Sequence, residues 1–169
     1  DRLASLTDRR IDAGADTPTL VSLLVDKARQ RRERGDLEGV IAALDECLEL
    51  DPHHFAALKE LVDTHRGAED WQSAAEALIR IARLKRSVEE QSWAFTQLAE
   101  IYDVHLQDLS RAEASLRQVA KLAPTHLETL DRLASVLSRE NKALEAARLL
   151  EELIRRTTGE TELRDYRIR

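Results

Sequence analysis

Apolar residues recur along this chain with a period of about 34 positions. A leucine returns at separations of 34, 38 and 34 residues, and a small or β-branched residue stands four positions before it each time. The leucines are Leu44, Leu78, Leu116 and Leu150, and the residues before them are Val40, Ala74, Ala112 and Ala146. Such a period is typical of arrays of helix–turn–helix repeats. We therefore expect about four stacked helix pairs that present a surface to another molecule.

The first repeat shows most clearly how each helix pair begins and turns. Asp16 or Thr17 is expected to cap a first helix, which has Pro18 in its first turn. Gly35 predicts the turn, because glycine readily adopts the left-handed conformation that ends helices. A second helix is predicted over residues 37–50, where apolar residues recur on one side at helical spacing.

The other three repeats follow the same plan. Their predicted helices span, in order, residues 57–66 and 71–84, 90–104 and 109–122, and 127–139 and 142–156. Two spacings exceed the period: the connection over 85–90 is about three residues longer, and one extra residue falls in the turn over 105–108. Insertions in loops leave the helix faces in register, so both are compatible with one array.

The predicted domain organisation follows from these repeats. Residues 1–17 indicate part of a preceding repeat or an N-terminal helix, because Leu3, Leu6 and Ile11 are apolar. Residues 159–169, which include Leu163 and Tyr166, are expected to begin a capping or further helix. Between them an array of about four repeats covers residues 18–158, divided as 18–52, 53–88, 89–124 and 125–158.

Composition favours an all-α fold. Hydrophobic residues make up 43% of the chain and aromatic residues 4%, and long stretches rich in Ala, Leu, Glu and Arg favour helices. The net charge of −6 offers no general attraction to nucleic acid. No apolar stretch approaches the roughly 20 residues that span a bilayer. We therefore expect neither nucleic-acid binding nor membrane insertion.

The chain starts at Asp1 and contains no methionine, which indicates a fragment of a longer protein. The absence of a visible targeting signal therefore leaves the compartment open, with the cytoplasm favoured. Basic residues are mostly Arg, and Ala and Leu are abundant. This bias is typical of GC-rich bacterial genomes, so we expect a bacterial source.

The same positions give the chain its resemblance to the tetratricopeptide repeat family. That family has a small residue at a fixed place in the first helix of each repeat, and a proline near the repeat end. The small residues are here Ala28, Val62, Ala99 and Ala134, and the prolines are Pro18, Pro52 and Pro124. The resemblance implies a right-handed superhelical solenoid of antiparallel helix pairs over residues 18–158.

Three residues depart from the family pattern. Lys27 and Arg31 replace the usual apolar residues in the first helix of the first repeat, and Arg86 replaces the proline that would end the second. The first helix is therefore expected to be partly exposed, or covered by a segment outside this chain.

The resemblance also implies a binding surface. In this family the first helix of each repeat, the A helix, lines a concave groove, and the second, the B helix, lies outside it. The groove positions of the family give ten candidate partner-binding residues: Arg29, Arg32, Lys59, Asp63, Arg66, Trp93, Glu100, Asp103, Glu128 and Asp131. One end is mainly basic and the other mainly acidic, which suits a peptide or helix with charges of both signs.

Alternatives to these roles stay open. The charges could simply keep a helical surface soluble, and Trp93 could pack against Ile81 and Leu84 of the preceding repeat. One subclass of the family binds the C-terminal carboxylate of chaperones through Lys and Asn side chains. Those positions here hold Val25, Arg29 and Glu60, so this clamp is absent.

No pattern in the sequence predicts chemistry. His53 and His54 are adjacent, so their side chains point apart, and no further ligand motif accompanies them. Cys47 is the single cysteine, so it forms no internal disulfide, and its place on an apolar stripe indicates a core residue. The basic run from Lys27 to Arg34 winds around its helix without aromatic residues for base stacking. We therefore expect no catalytic residue, metal site, cofactor or small-molecule substrate.

The predicted function is that of a non-enzymatic protein–protein interaction scaffold. Its groove would bind a peptide or helix of a partner protein whose identity the sequence does not reveal. The alternative is self-association, or an intramolecular regulatory module of a larger multidomain protein. The exposed charges expected on the first A helix motivate that alternative.

Overall fold

A computed structural model describes residues 16–84, 87–124 and 126–167, with the backbone alone for 157–167. These ranges contain eight α-helices and one π-helical turn, and they contain no strand. The helices are α1 (Thr17–Glu33), α2 (Leu37–Leu50), α3 (Phe55–Gly67), α4 (Trp71–Arg83), α5 (Val88–Glu100), α6 (Leu109–Leu122), α7 (Leu127–Arg139) and α8 (Ala143–Arg167), and the π-helical turn is Ile101–His105. The all-α prediction is confirmed.

The chain divides into two compact units after Leu84. The first unit contains α1–α4 and the second contains α5–α8. Within each unit, neighbouring helices pair across a short turn, α1 with α2, α3 with α4, α5 with α6, and α7 with α8. Short turns of this kind make paired helices antiparallel. In each unit, the second helix of the first pair also packs against the first helix of the second pair: α2 packs against α3, and α6 packs against α7.

The repeated small and large residues form the interior of each unit. The small residues of the A helices, from Ala28 to Ala134, are at most 1% exposed, and their B-helix counterparts, from Val40 to Ala146, at most 3%. Small side chains let paired helices approach closely, and the leucines fill the remaining space. Leu44, Leu78 and Leu116 are at most 2% exposed, whereas Leu150 is 41% exposed. The fourth repeat therefore differs from the other three at its B helix.

The turns between A and B helices share one backbone geometry. A residue with positive φ lies two positions before the start of each B helix, and only the first repeat uses glycine: Gly35 (φ 73°), Glu69 (57°), Gln107 (53°) and Asn141 (62°). In three repeats an aspartate follows, and its side chain accepts a hydrogen bond from the backbone N–H three residues later. These bonds are Asp36 to Gly39 (2.9 Å), Asp70 to Ser73 (3.1 Å) and Asp108 to Arg111 (3.0 Å).

The observed start of α1 agrees with the sequence prediction, and the starts of two other A helices correct it. Asp16 occupies the cap position of α1, but its side chain accepts no capping hydrogen bond. The third helix starts two residues earlier than predicted because His54 Nδ1 accepts a hydrogen bond from Ala57 N at 3.1 Å. Helix α5 also starts earlier, at Val88, because Ser87 and Glu90 cap each other's backbone N–H groups.

The extra residue of the third repeat lies in a π-helical turn. Ala28 precedes the start of α2 by nine positions, but Ala99 precedes the start of α6 by ten. The π-helical turn Ile101–His105 absorbs the difference, since its wider ring closes with a hydrogen bond from Leu106 N to Ile101 O at 2.9 Å. The prediction that placed this residue in the turn over 105–108 is therefore wrong.

Helix α8 is longer than predicted. It runs for 25 residues, from Ala143 to Arg167, through the Thr158–Gly159 position where a helix end was expected. A glycine within a helix costs about 1 kcal/mol but does not by itself end it. The predicted separate helix over 159–169 is thus continuous with α8 as far as the structure describes it. The predictions for residues 1–15 and for Arg86 lie outside the described residues.

A network of charged side chains joins the two helix pairs of the second unit. Glu113 of α6 is buried, and its carboxylate accepts hydrogen bonds from Arg117 Nε and Lys142 Nζ. Arg117 also contacts Glu145 of α8 at 2.6 Å, and Lys142 contacts Glu140 at 3.0 Å. Burial alone would raise the pKa of Glu113, but the hydrogen bonds from Lys142 and Arg117 outweigh it and lower the pKa to about 2.

The left-handed turn of the first repeat leads to a test of backbone strain. We expect Gly35→Ala to lower the free energy of unfolding by about 1 kcal/mol, because a Cβ at positive φ is strained. No atom lies within 4 Å of that Cβ, so crowding adds nothing. Gly67→Ala is the matched control, since its Cβ is equally unobstructed but Gly67 lies in α3. Urea unfolding should show the control unchanged or slightly stabilised, and an equal loss in both variants would contradict the explanation.

The Glu113 network predicts a pH-dependent stability of the second unit. The pKa of Glu113 is lower in the folded state than its ordinary value of 4.5, so its stabilisation is fully present above that pH and is lost as the pH falls towards 2. We expect Glu113→Gln to cost about 1–2 kcal/mol at neutral pH and to reduce the acid sensitivity. Chemical unfolding across this pH range measures both effects. The exposed Glu128→Gln control should retain the wild-type profile.

Candidate functional site

The predicted groove residues of the first unit lie on its two A helices, α1 and α3. We call the surface formed by Arg29, Arg32, Lys59, Asp63 and Arg66 the basic face. Four of these residues are exposed, namely Arg29, Arg32, Lys59 and Asp63, and Arg66 is half-buried. The Arg29 side chain keeps 68% of its surface exposed although Asp26 lies 3.5 Å from it. Four of the five residues are cationic, so this face carries a net positive charge.

Arg32 connects the two A helices of the first unit. Its guanidinium donates a hydrogen bond to Thr64 Oγ1 at 2.7 Å and forms an ion pair with Glu60 Oε1 at 2.7 Å, both in α3. Glu60 O also accepts a hydrogen bond from Thr64 Oγ1 at 2.8 Å. Since one nitrogen of Arg32 also lies 3.3 Å from Glu60 O, the guanidinium is held on three sides. Arg32 therefore has a structural role within the unit in addition to any role in binding.

The predicted groove residues of the second unit lie on α5, on the π-helical turn and on α7. We call the surface formed by Trp93, Glu100, Asp103, Glu128 and Asp131 the acidic face. Glu128 and Asp131 are exposed, and the other three residues are half-buried. The intermediate exposure of Trp93 is compatible with both roles considered for it. Four of the five residues are carboxylates, so this face carries a net negative charge.

Asp103 connects two successive A helices in the second unit, as Arg32 does in the first. Its carboxylate forms an ion pair with Arg139, which joins the π-helical turn to the end of α7. The side chain of Asp103 is only 21% exposed, and that of Arg139 is 49% exposed. In each unit, therefore, one predicted groove residue forms a bridge between successive A helices.

Sequence reasoning missed the residues that complete these bridges and the buried network. Glu60, Thr64 and Arg139 were not singled out as structural partners, because nothing in a single helix shows which neighbour a charge will meet. Glu113 did carry a usable signal. The corresponding positions of the other B helices hold Ile41, Ala75 and Ala147. A carboxylate at this position of the repeat therefore indicates a buried charge that needs partners.

Other residues considered for chemistry have structural surroundings. Cys47 is fully buried, and burial raises the pKa of its thiol, which disfavours the reactive thiolate. His54 caps α3, and His126 Nδ1 lies 2.7 Å from Thr129 Oγ1 at the start of α7. Among the described residues, no group of three or more His, Cys, Asp or Glu side chains could hold a metal ion. Nor does any described helix combine the length and apolar character needed to cross a bilayer.

Comparisons with known proteins identify the fold. No protein-family model matches the chain, and neither does any curated protein. Solved structures do match. The crystal structure of MamA has a TM-score of 0.63 at 16% identity and covers 94% of this chain and 89% of its own. A tetratricopeptide repeat protein from Parabacteroides merdae has a TM-score of 0.61 at 16% identity, covering 85% of this chain and 54% of that one.

A third similar structure contains a bound peptide. The first tetratricopeptide repeat domain of Spaghetti (RPAP3), bound to an HSP90 peptide, has a TM-score of 0.51 at 16% identity. The match covers 75% of this chain and 99% of that domain. At such identities the similarity shows the fold and not the ligand. The chain therefore has a tetratricopeptide-repeat-like fold, as its sequence pattern predicted.

Proposed function

We propose that this chain is a non-enzymatic protein-interaction scaffold that binds a peptide or helix of a partner protein on the groove side of its A helices. The observation that carries this proposal is the opposite charge of the basic face and the acidic face. Each face keeps exposed charged side chains, including Arg29 and Lys59 on one and Glu128 and Asp131 on the other. Charge complementarity selects partners and their orientation more than it adds affinity.

The two faces define the chemistry of the expected ligand. A partner segment with acidic side chains would bind the basic face, and a segment with basic side chains would bind the acidic face. The bridging contacts of Arg32 and Asp103 would hold the A helices in place, so that the remaining side chains are positioned before binding. Trp93 would add an apolar contact if its exposed part meets the ligand.

The domain of RPAP3 supports peptide binding by this fold, because its structure contains an HSP90 peptide. The ligand proposed here differs from a chaperone tail. The Lys and Asn residues that hold a terminal carboxylate are replaced by Val25, Arg29 and Glu60. Recognition would therefore depend on charged side chains within the partner segment and not on its C-terminus.

Self-association or intramolecular regulation is the alternative function. It would need a surface that a second copy, or another domain of the same protein, could cover. The exposed Leu150 of α8 favours this alternative. Because α8 is a B helix and the two charged faces lie on A helices, both functions can coexist on one chain.

Charge reversal tests the scaffold proposal. A partner captured from a cell extract by the wild-type chain should be lost when Arg29→Glu and Lys59→Glu are combined. The matched control combines Arg83→Glu and Lys121→Glu, which reverse one arginine and one lysine at exposed positions of the B helices α4 and α6. The control should retain the partner. Circular dichroism verifies that both variants keep their helix content.

The outcomes separate the candidate surfaces. Loss of the partner in both double variants would mean that net charge alone governs capture, and retention in both would show that the basic face does not bind. Raising the salt concentration should weaken capture by the wild-type chain, because exposed charges are screened over about 8–10 Å. Reversal of Glu128 and Asp131 to lysine tests the acidic face in the same way.

A further inference from the structure

The B helix of the fourth repeat exposes a face that the corresponding helices bury. Helix α2 packs against α1 and α3, and its Leu44 is fully buried; α6 packs against α5 and α7, and its Leu116 is 2% exposed. Helix α8 packs against α7. The equivalent Leu150 is 41% exposed, Ile154 is 63% exposed and Leu144 is 80% exposed.

Four of the exposed apolar residues of α8 form one narrow stripe, and Leu144 lies outside it. Ala143, Ala147, Leu150 and Ile154 follow one another at spacings of four, three and four residues. At 100° of rotation per residue, these four side chains lie within about 60° of one another around the helix axis. Spacings of this kind are those of the apolar seam of a coiled coil. All four residues are exposed. Leu150 is also more exposed than the equivalent leucines of the other three repeats.

The order of small and large residues along this stripe is self-complementary. We propose that α8 is a dimerisation helix, which packs antiparallel against α8 of a second copy of this chain about a two-fold axis. Ala147 then lies opposite the partner's Leu150, and Ala143 opposite the partner's Ile154. Both contacts form in a single register, because the two alanines and the two large residues are symmetric about the midpoint between Arg148 and Leu149. Each layer pairs a small side chain with a large one, which fills space without crowding.

The charges beside the stripe favour the same arrangement. Arg148 and Glu151 are exposed, and within the described part of the chain neither forms an ion pair. In the antiparallel register the Arg148 side chain reaches the partner's Glu151, offset by about 3 Å along the axis at 1.5 Å per residue. The two-fold axis repeats this contact, so each dimer gains two ion pairs of opposite sign. Parallel pairing would not form these two contacts, because residues on one side of the stripe then face the opposite side of the partner's stripe.

A head-to-tail contact between copies is disfavoured. In such a contact α8 of one copy would meet α1 of the next, in the way that α6 meets α7. Where α7 buries Leu133, Val136 and Leu137, α1 has Lys27, Gln30 and Arg31. Leucine and isoleucine side chains would then cover two cations, whose dehydration is costly. The symmetric pairing of two α8 helices avoids that cost and forms a closed dimer.

Sedimentation and light scattering of the purified chain test the proposal directly. The wild-type chain should show a concentration-dependent dimer in the micromolar range. Arg148→Glu alone and Glu151→Arg alone should each weaken it by roughly tenfold or more, since each turns two attractive contacts into repulsive ones. The double variant that carries both changes should dimerise like the wild type. Arg148 and Glu151 are both exposed, so these substitutions should leave folding unaffected.

Mixing the two single variants provides the sharpest result. In a mixed dimer the new glutamate at position 148 meets the new arginine at position 151, and the unchanged Glu151 meets the unchanged Arg148. The mixture should therefore dimerise strongly although each variant alone is mostly monomeric. A wild-type chain that stays monomeric up to nearly millimolar concentration would overturn the proposal. So would a dimer that persists in both single variants, or one that Leu150→Asp leaves intact.

This proposal stands independently of the scaffold function. The variant with Arg29→Glu and Lys59→Glu should dimerise like the wild type, because both residues lie on A helices of the first unit. Conversely, the two charge variants of α8 should retain any partner that binds the basic face. A result in which Arg29→Glu and Lys59→Glu abolish the dimer would place the self-contact on the basic face and overturn the role of α8.

Discussion

Close packing of small residues between paired helices is the constraint on which the rest of this structure depends. Each repeat places one small residue in its A helix and another in its B helix, and all eight are at most 3% exposed. A larger side chain there would force the helices apart and open the layer that the repeat leucines fill. Because the same positions recur in every repeat, each helix pair buries its inner face in the same way. The remaining positions are left to carry charge, and these determine what the surface can bind.

The polar residues fall into two groups that the sequence alone does not separate. Arg32, Asp103 and Glu113 are held by partners from other helices or turns, and they stabilise the arrangement of the repeats. Arg29, Lys59, Glu128 and Asp131 are exposed on the two charged faces. Substitution of a bridging residue would disturb both helix packing and binding. Variants of the exposed residues therefore report on binding with less interference from stability.

The sequence predicted the bounds of those helices whose ends are marked by strong local signals. Helices α2, α6 and α7 begin and end at the predicted residues, and an aspartate cap marks the starts of α2 and α6. The π-helical turn was not predictable, because an extra residue can be absorbed in a loop or within a helix, and tertiary packing decides between them. Helix α8 passes through Gly159 for a related reason: without a proline, one glycine only weakens a helix. The positions of the candidate site followed from the repeat pattern, but the bridging partners of Arg32 and Asp103 depend on contacts between repeats.

The exposed stripe of α8 shows how a repeat fold can generate an interface from its own packing rule. A B helix needs cover on both sides, and in the first and third repeats α3 and α7 supply it on the second side. On α8 the same leucine position is retained, and the position three residues before it holds the small Ala147, where α2 has Ile41, α4 has Ala75 and α6 has Glu113. In the proposed dimer this small residue lies opposite the large Leu150 of the second copy. Since Ala147 and Leu150 are on the same helix, each copy supplies the large side chain that packs against the small residue of the other. The geometry that stacks repeats within a chain is then sufficient to join two chains.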